Sequence, residues 1–291
     1  MSDVQNEKTP GLSPDEEQEV SHNQPPRAAV LHEIIRAQGD QELERTLAAL
    51  WWSALAAGLT MGLSLMAMGL FYARLPEGDS AQVVASLGYS AGFLAVILAR
   101  QQLFTENTLT AVLPLMTTPT LTNLGRLLRL WTIVLLGNLA GTLLVAWVML
   151  ELPIFDSKTD VAFLDVGRKV MENGIGQMFA KGIVSGWMIA TMVWMIPSME
   201  HAKIWIILMI TYLMALGDFT HIVVGSVEVS YLVWAGEQSW SAFWLDFALP
   251  TLAGNIIGGS FIFALISHAQ VRSDSGKPPS KLLKDDKQTR I

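Results

Sequence analysis

An apolar run from Ile204 to Trp234 is broken at its centre by Gly217-Asp218-Phe219-Thr220-His221. Each flank alone is too short to cross a hydrocarbon core of about 30 Å, which takes roughly 20 helical residues. Together the flanks are long enough, so the break falls near mid-depth. Irregular backbone survives there only where protein or a water-filled path covers it. An ionisable side chain at that depth marks a solute or proton route by default, and here it is His221 with Asp218 close by. A histidine that only bridges packed helices is the blander account. The broken helix around it favours a path.

The composition agrees with a one-domain membrane chain: 291 residues, 51% hydrophobic, 15% charged, mean hydropathy +0.39. The absence of cysteine excludes disulfides and thiol chemistry. Residues 1–45 are polar, with 4 basic and 10 acidic groups, and hold no apolar segment of the kind a cleavable signal needs. That acidic head does not suit nucleic acid or anionic lipid. Residues 272–291, with 6 basic and 3 acidic groups, suit the cytoplasmic leaflet.

In chain order, residues 1–27 read as a disordered acidic terminus. Residues 28–46 place Val30, Leu31, Ile34, Ile35 and Leu43 at helical spacing among charges, which predicts an amphipathic helix on the membrane face or against a neighbouring subunit. Residues 47–270 hold six spans, and 271–291 form a basic tail. The spans are predicted at about Leu50–Tyr72, Val83–Leu98, Leu127–Leu150, Phe179–Ile196, the broken run, and Phe243–Ile266. The second is interrupted too: Arg100-Gln101-Gln102-Leu103-Phe104-Thr105-Glu106 leads into the apolar piece Leu109–Met116. Pro153 to Asn173 is a long polar connection with a short helix from Val161 onward. Six spans put both termini on one side, and the Lys/Arg bias makes that side cytoplasmic.

The halves echo one another. Phe104-Thr105 matches Phe219-Thr220, 115 residues on; Gly137-Asn138-x-x-Gly141 matches Gly254-Asn255-x-x-Gly258, 117 on; Gly58-x-x-x-Gly62 matches Gly182-x-x-x-Gly186. Copies of three spans must enter the bilayer in opposite senses. The expected fold is therefore an all-α integral membrane protein, six helices in an inverted three-plus-three repeat, with helices 2 and 5 interrupted and lining the solute path.

Taken together, Leu103-Phe104-Thr105, Gly137-Asn138-x-x-Gly141, Phe219-x-His221 and Gly254-Asn255-Ile256-Ile257-Gly258-Gly259 resemble the formate/nitrite transporter family, over roughly Ala28 to Ala269. The resemblance implies an aquaporin-like protomer with its own pore, a homopentamer, and passage of small monovalent weak-acid anions such as formate, nitrite, hydrosulfide, lactate or acetate. It implies a bacterial inner-membrane protein, not an enzyme, with no cofactor. Carried across, His221 matches the central pore histidine, Thr105 its hydrogen-bonding threonine, Leu103 and Phe104 apolar constriction residues, Asn255 the asparagine of the sixth span, and Lys169 a lysine at the outer mouth. Phe219 and Met214 belong to the same path, Met214 standing where the family has an aromatic residue. Thr220 replaces the family's glutamate before the histidine, and Asp218 and Glu106 stand where glycine and serine are common.

A pore with apolar constrictions and one titratable imidazole can pass a weak acid as its neutral form, because an anion is far costlier in an apolar setting. Glu106 and Asp218 would repel anions if ionised in the pore. Pairing with Arg100 or His221 is the expected resolution, since lone charges at depth are rare. The alternative cargo is a small neutral or cationic solute. An aquaglyceroporin is disfavoured by the lack of paired Asn-Pro-Ala signatures. A membrane enzyme is disfavoured by the lack of a nucleophile–base or metal set.

Overall fold

The computed structural model describes residues 13, 15, 16, 26–76 and 78–274. The expected disordered head and most of the basic tail lie outside the described residues, except that helix continues through Arg272 to Asp274. Every regular element among the described residues is helical. We number them α1 (Ala28–Glu44), α2 (Leu47–Tyr72), α3 (Asp79–Leu98), α4 (Val112–Thr117), α5 (Leu121–Glu151), α6 (Ser157–Met171), α7 (Ile175–Met195), α8 (Lys203–Leu216), α9 (Ile222–Trp234) and α10 (Ala242–Ser273).

Five helices, α2, α3, α5, α7 and α10, are long and apolar enough to cross a membrane, and the half-length α8 and α9 together supply the sixth crossing. Two elements begin earlier than hydropathy suggests, and caps are the reason. Thr120 Oγ1 accepts the Asn123 N–H at 3.1 Å, so α5 starts six residues before Leu127, on polar turns beyond the apolar stretch. Asp156 accepts both the Thr159 hydroxyl and the Thr159 N–H, which starts α6 at Ser157 and holds the Asp156 carboxyl below the usual carboxylate range.

The inverted repeat is visible in hydrogen bonds. Asn138 on α5 accepts the Phe104 N–H at 2.9 Å, and its amide donates to the carbonyls of Ala54 and Gln102. Asn255 on α10 accepts the Ile222 N–H at 2.9 Å and donates to the carbonyls of Gly182 and Thr220. Each asparagine ties one broken span to a neighbouring intact one. The left-handed residues agree: Arg100 at φ 53° and Asp218 at φ 50° are the positive-φ non-glycine residues of the described chain, one per break. The register in space is therefore Arg100 with Asp218, Gln102 with Thr220, Leu103 with His221 and Phe104 with Ile222. The Phe-Thr echo is three residues out of register and does not mark equivalent backbone.

Small residues let the paired spans touch. A methyl on Gly58 of α2 would strike the Asn138 carbonyl and lie 2.9 Å from Gly141 Cα. A methyl on Gly186 of α7 would strike the Asn255 carbonyl and lie 2.8 Å from Asn255 Cα. Gly58 thus corresponds to Gly186, and Ala54 to Gly182. The sequence pairing of Gly58 with Gly182 is corrected by one helical turn.

The amphipathic α1 packs on its own chain. Leu31, Ile35, Gly39 and Leu43 form its buried face, and Gly39 lies against the Thr110 carbonyl before α4. His32, 7% exposed, meets His268 of α10 at 2.9 Å (Nε2 to Nδ1) and the Trp194 ring edge-on. This contact places α1 at the end of the bundle where α10 finishes, the terminal end. Burial, then the neighbouring His268, holds the His32 imidazole below its ordinary range. A base with a depressed folded pKa contributes stability that is present above its unfolded pKa of about 6.5 and fades as pH falls below it. Amide exchange of residues 28–44, corrected for intrinsic rate, is expected to accelerate as pH drops from about 7.5 to about 5.5. His32→Leu is expected to remove that dependence.

Candidate functional site

The site is built by the break between α8 and α9. Helix α8 ends at Leu216, Asp218 turns the chain through the left-handed region, and Thr220 anchors it by donating to the Met178 carbonyl at 2.8 Å. Such a conformation costs a non-glycine residue roughly 1–2 kcal/mol. It aims the next residues inward. His221, in extended backbone, then caps α9: its Nδ1 accepts the N–H groups of Val223 and Val224, each at 3.3 Å.

The cap assigns the tautomer. An Nδ1 that accepts leaves the ring proton on Nε2, which donates to Thr105 Oγ1 at 2.7 Å. Phe93 of α3 packs edge-to-face on the imidazole at 5.1 Å between centroids. His221 is 1% exposed and Thr105 fully buried. The two interrupted spans therefore meet at mid-depth through Thr105 and His221, with Phe93 beside them, and again through the Thr211 hydroxyl, which donates to Ser90 Oγ at 2.7 Å.

A cavity of about 640 Å³ leads from the end opposite α1 down to His221. Its mouth is formed by Leu75 and Pro76 after α2 and by Lys158 and Asn173 of the α6 region. Met214, Phe219 and Thr220 line its depth, with Tyr72 of α2 and Tyr89 of α3 across from them. Leu103 and Phe104 do not line it. They are buried at 0% and 1% exposure, with Phe104 against Trp131 of α5.

Asn255 also lies off the cavity. It is fully buried, its polar atoms engaged by Ile222, Gly182, Ser185 and Thr220, so it holds the break in shape. Lys169 stands on α6 with its ammonium 2.8 Å from Asp218. Asp218 is thus paired, but with Lys169 and not with Arg100 or His221. Arg100 is exposed on the terminal side, and neither it nor Glu106 lines this cavity.

One cavity residue was not singled out from sequence. Glu228 sits on α9, 4% exposed, in the deep wall. Its signal was present as a lone carboxylate in an apolar half-helix, at i+7 from His221 and hence on the same face. His32 and His268, 236 residues apart in sequence, likewise come together only in the fold. Among the described residues no group of three or more His, Asp or Glu is arranged to hold a metal.

Residues 29–269 match the family model described as formate/nitrite transporter. The chain belongs to the formate/nitrite transporter family. It is 57% identical over 250 residues to the inner membrane protein YfdC of Escherichia coli K12, covering 86% of this chain and 81% of that one. A formate channel, FocA, of Haemophilus influenzae is 23% identical over 70% of this chain and 81% of its own. Among solved structures, a pentameric formate channel with formate bound superposes with TM-score 0.67 at 19% identity, covering 78% of this chain and 98% of that chain. An FNT family ion channel superposes with TM-score 0.68 at 20% identity, covering 84% and 96%. The aquaporin-like six-span fold is that of the formate/nitrite transporters. Family members are channels and transporters, not enzymes, and the cavity, aligned on one buried polar pair, suits conduction.

Proposed function

We propose that this formate/nitrite transporter family member conducts a small monovalent weak acid of the formate, nitrite, acetate, lactate or hydrosulfide type. It does so as one protomer of a homopentamer in a bacterial inner membrane, with both termini cytoplasmic. The observation that carries the reading is the cavity ending on the buried Thr105–His221 pair. Support for assembly and location comes from the pentameric structural relative and the inner-membrane relative.

The solute crosses the waist as its neutral acid, because a charged form cannot be held between Leu103, Phe104 and Phe93 without large cost. His221 aids passage. Turned from Thr105 to the solute, its Nε2–H is a donor for an acid oxygen. A second proton must enter at Nδ1 and break both bonds that cap α9. Titration of His221 and loosening of the break are therefore one event.

Swelling of proteoliposomes in iso-osmotic formate, nitrite, acetate and lactate tests the reading, with glycerol and methylammonium as neutral and cationic controls. Selective, pH-dependent uptake of one weak acid is the expected result. Uptake of glycerol or methylammonium instead would sink it. One observation favours that second outcome: Asp218 neutralises Lys169, so the vestibule holds no free ammonium beside its deep end.

Asp218→Asn decides how much this matters. It is expected to raise initial anion uptake several-fold at low salt, and the gain should fade as ionic strength rises toward about 0.15 M. Stability should change by less than about 1 kcal/mol, since both side chains are 37% exposed.

A further inference from the structure

The deep wall of the cavity contains a carboxyl that the path, as described so far, leaves without a task. Glu228 follows His221 by seven residues and Gly225 by three, so the three lie along one face of α9, about 10 Å from end to end. All three line the cavity. Side chains on a helix lean toward its N-terminus, and Glu228 does so: its Oε2 lies 3.8 Å from where a Cβ on Gly225 would stand. Among the described residues its carboxyl has no hydrogen bond and no ion pair, although the residue is 4% exposed. A buried polar side chain without a protein partner, aimed into a conduit, is placed to meet what passes.

His221 is poorly suited to supply a proton from rest. Its neutral ring carries one proton, on Nε2, and surrendering that proton would leave an imidazolate. Taking a second one dismantles the α9 cap. Resting on the weak-acid reading, we propose that Glu228 is the proton-exchanging group of the path: it protonates the incoming anion at the deep end of the cavity, so that the solute reaches Thr105 and His221 already neutral.

The step balances. The O–H bond of the Glu228 carboxyl breaks and an O–H bond forms on the solute anion, leaving a Glu228 carboxylate and a neutral acid, with no change of oxidation state. Water entering from the mouth returns a proton to Glu228, and one proton accompanies each anion. An isolated carboxylate in an apolar wall is far costlier than a neutral carboxyl, so the group exchanges a proton and does not keep a fixed charge.

The groups facing it are Tyr72 from α2, Tyr89 from α3, Asp165 and Lys169 from α6, Asp218 from the break and His221 from its own helix, with Lys158 nearer the mouth. Lys169 is committed to Asp218. The final helix contributes the ring of Phe247 to this wall and no charge. Asp165 is held by Arg168 and Asp218 by Lys169, which leaves Glu228 as the unpaired carboxyl of this wall among the described residues.

The test uses the full chain in proteoliposomes loaded with a pH-sensitive dye, with formate as the probe and both formate entry and lumenal acidification recorded. Glu228→Gln keeps shape and polarity but cannot deliver a carboxyl proton. It is expected to lower uptake at about pH 7.5 by about a hundredfold, leaving a remainder that tracks the bulk fraction of neutral formic acid. Glu228→Asp should restore proton-coupled uptake with a shifted pH profile. Glu228→Gln with unchanged rate and pH profile would overturn the proposal and leave the weak-acid reading standing. Equal impairment of both variants with an unshifted profile would show a packing role and overturn it as well. Should Glu228→Gln fail to assemble, the Glu228→Asp profile decides alone, an unshifted one counting against the proposal. Wild-type protein that takes up no weak acid at all would overturn the weak-acid reading and this inference together.

Discussion

His221→Ala is expected to lower weak-acid flux by about a hundredfold or more while the protein still folds and assembles. The imidazole presents its Nε2–H at the waist and shares it with the opposite half of the molecule through Thr105. Alanine leaves a gap between Phe93 and Thr105 in which an entering acid loses the imidazole N–H as a partner. The same substitution removes the α9 cap, worth about 1 kcal/mol, and empties a ring-sized volume worth about 2 kcal/mol more. That loss is tolerable for a bundle whose other spans are untouched. His221→Asn separates the two effects. Asparagine is a good N-cap, so thermal unfolding should return most of the way to wild type. Flux, and its pH dependence, should not return. Recovery of flux in His221→Asn would mean that only the cap matters, and that His221 is a structural bridge.

Much of this site was legible because membranes punish polar groups severely. Gly217 to His221 and Arg100 to Glu106 stand out in otherwise apolar spans, and α8, α9 and the meeting of Thr105 with His221 follow from that. Register was harder to read. Phe104-Thr105 and Phe219-Thr220 share letters but not backbone roles, since equivalence is set by the left-handed residue and by the N–H that each asparagine accepts. Those left-handed residues are Arg100 and Asp218 rather than glycine, so no conformational signal marked them. The partner of Asp218 was hidden for another reason. Lys169 comes from α6, a helix outside the spans, and hydropathy does not say where such a helix docks. Glu228 was lost in an average: one carboxylate in thirteen residues leaves α9 apolar, and only its place on the His221 face shows its position.

Asn255→Leu is expected to damage the fold where His221→Ala damages the path. Leucine fits the volume, but it leaves the Ile222 N–H and the carbonyls of Thr220 and Gly182 without the side chain that reaches all three. The Ile222 N–H is left unmet in a dry interior, at about 1–3 kcal/mol, while the Ser185 hydroxyl still reaches the Gly182 and Thr220 carbonyls, which lose one of their donors each. The combined loss should be about 3 kcal/mol, read as a lower unfolding midpoint and a smaller assembled fraction on size exclusion. Asn138→Leu should cost a similar amount, because it strips the Phe104 N–H and the carbonyls of Ala54 and Gln102 in the other half. Equal sensitivity is the diagnostic result, since a path residue has no reason to be matched by its repeat partner. The two breaks carry opposite chemistry, His221 lining the cavity in one and the buried Leu103 standing at the equivalent position in the other, yet the asparagines that hold them are alike in role. If Asn255→Leu kept full stability and lost only flux, Asn255 would belong to the path and the stitching assignment would fail. If both asparagine variants unfold early, the inverted repeat is what holds the breaks open.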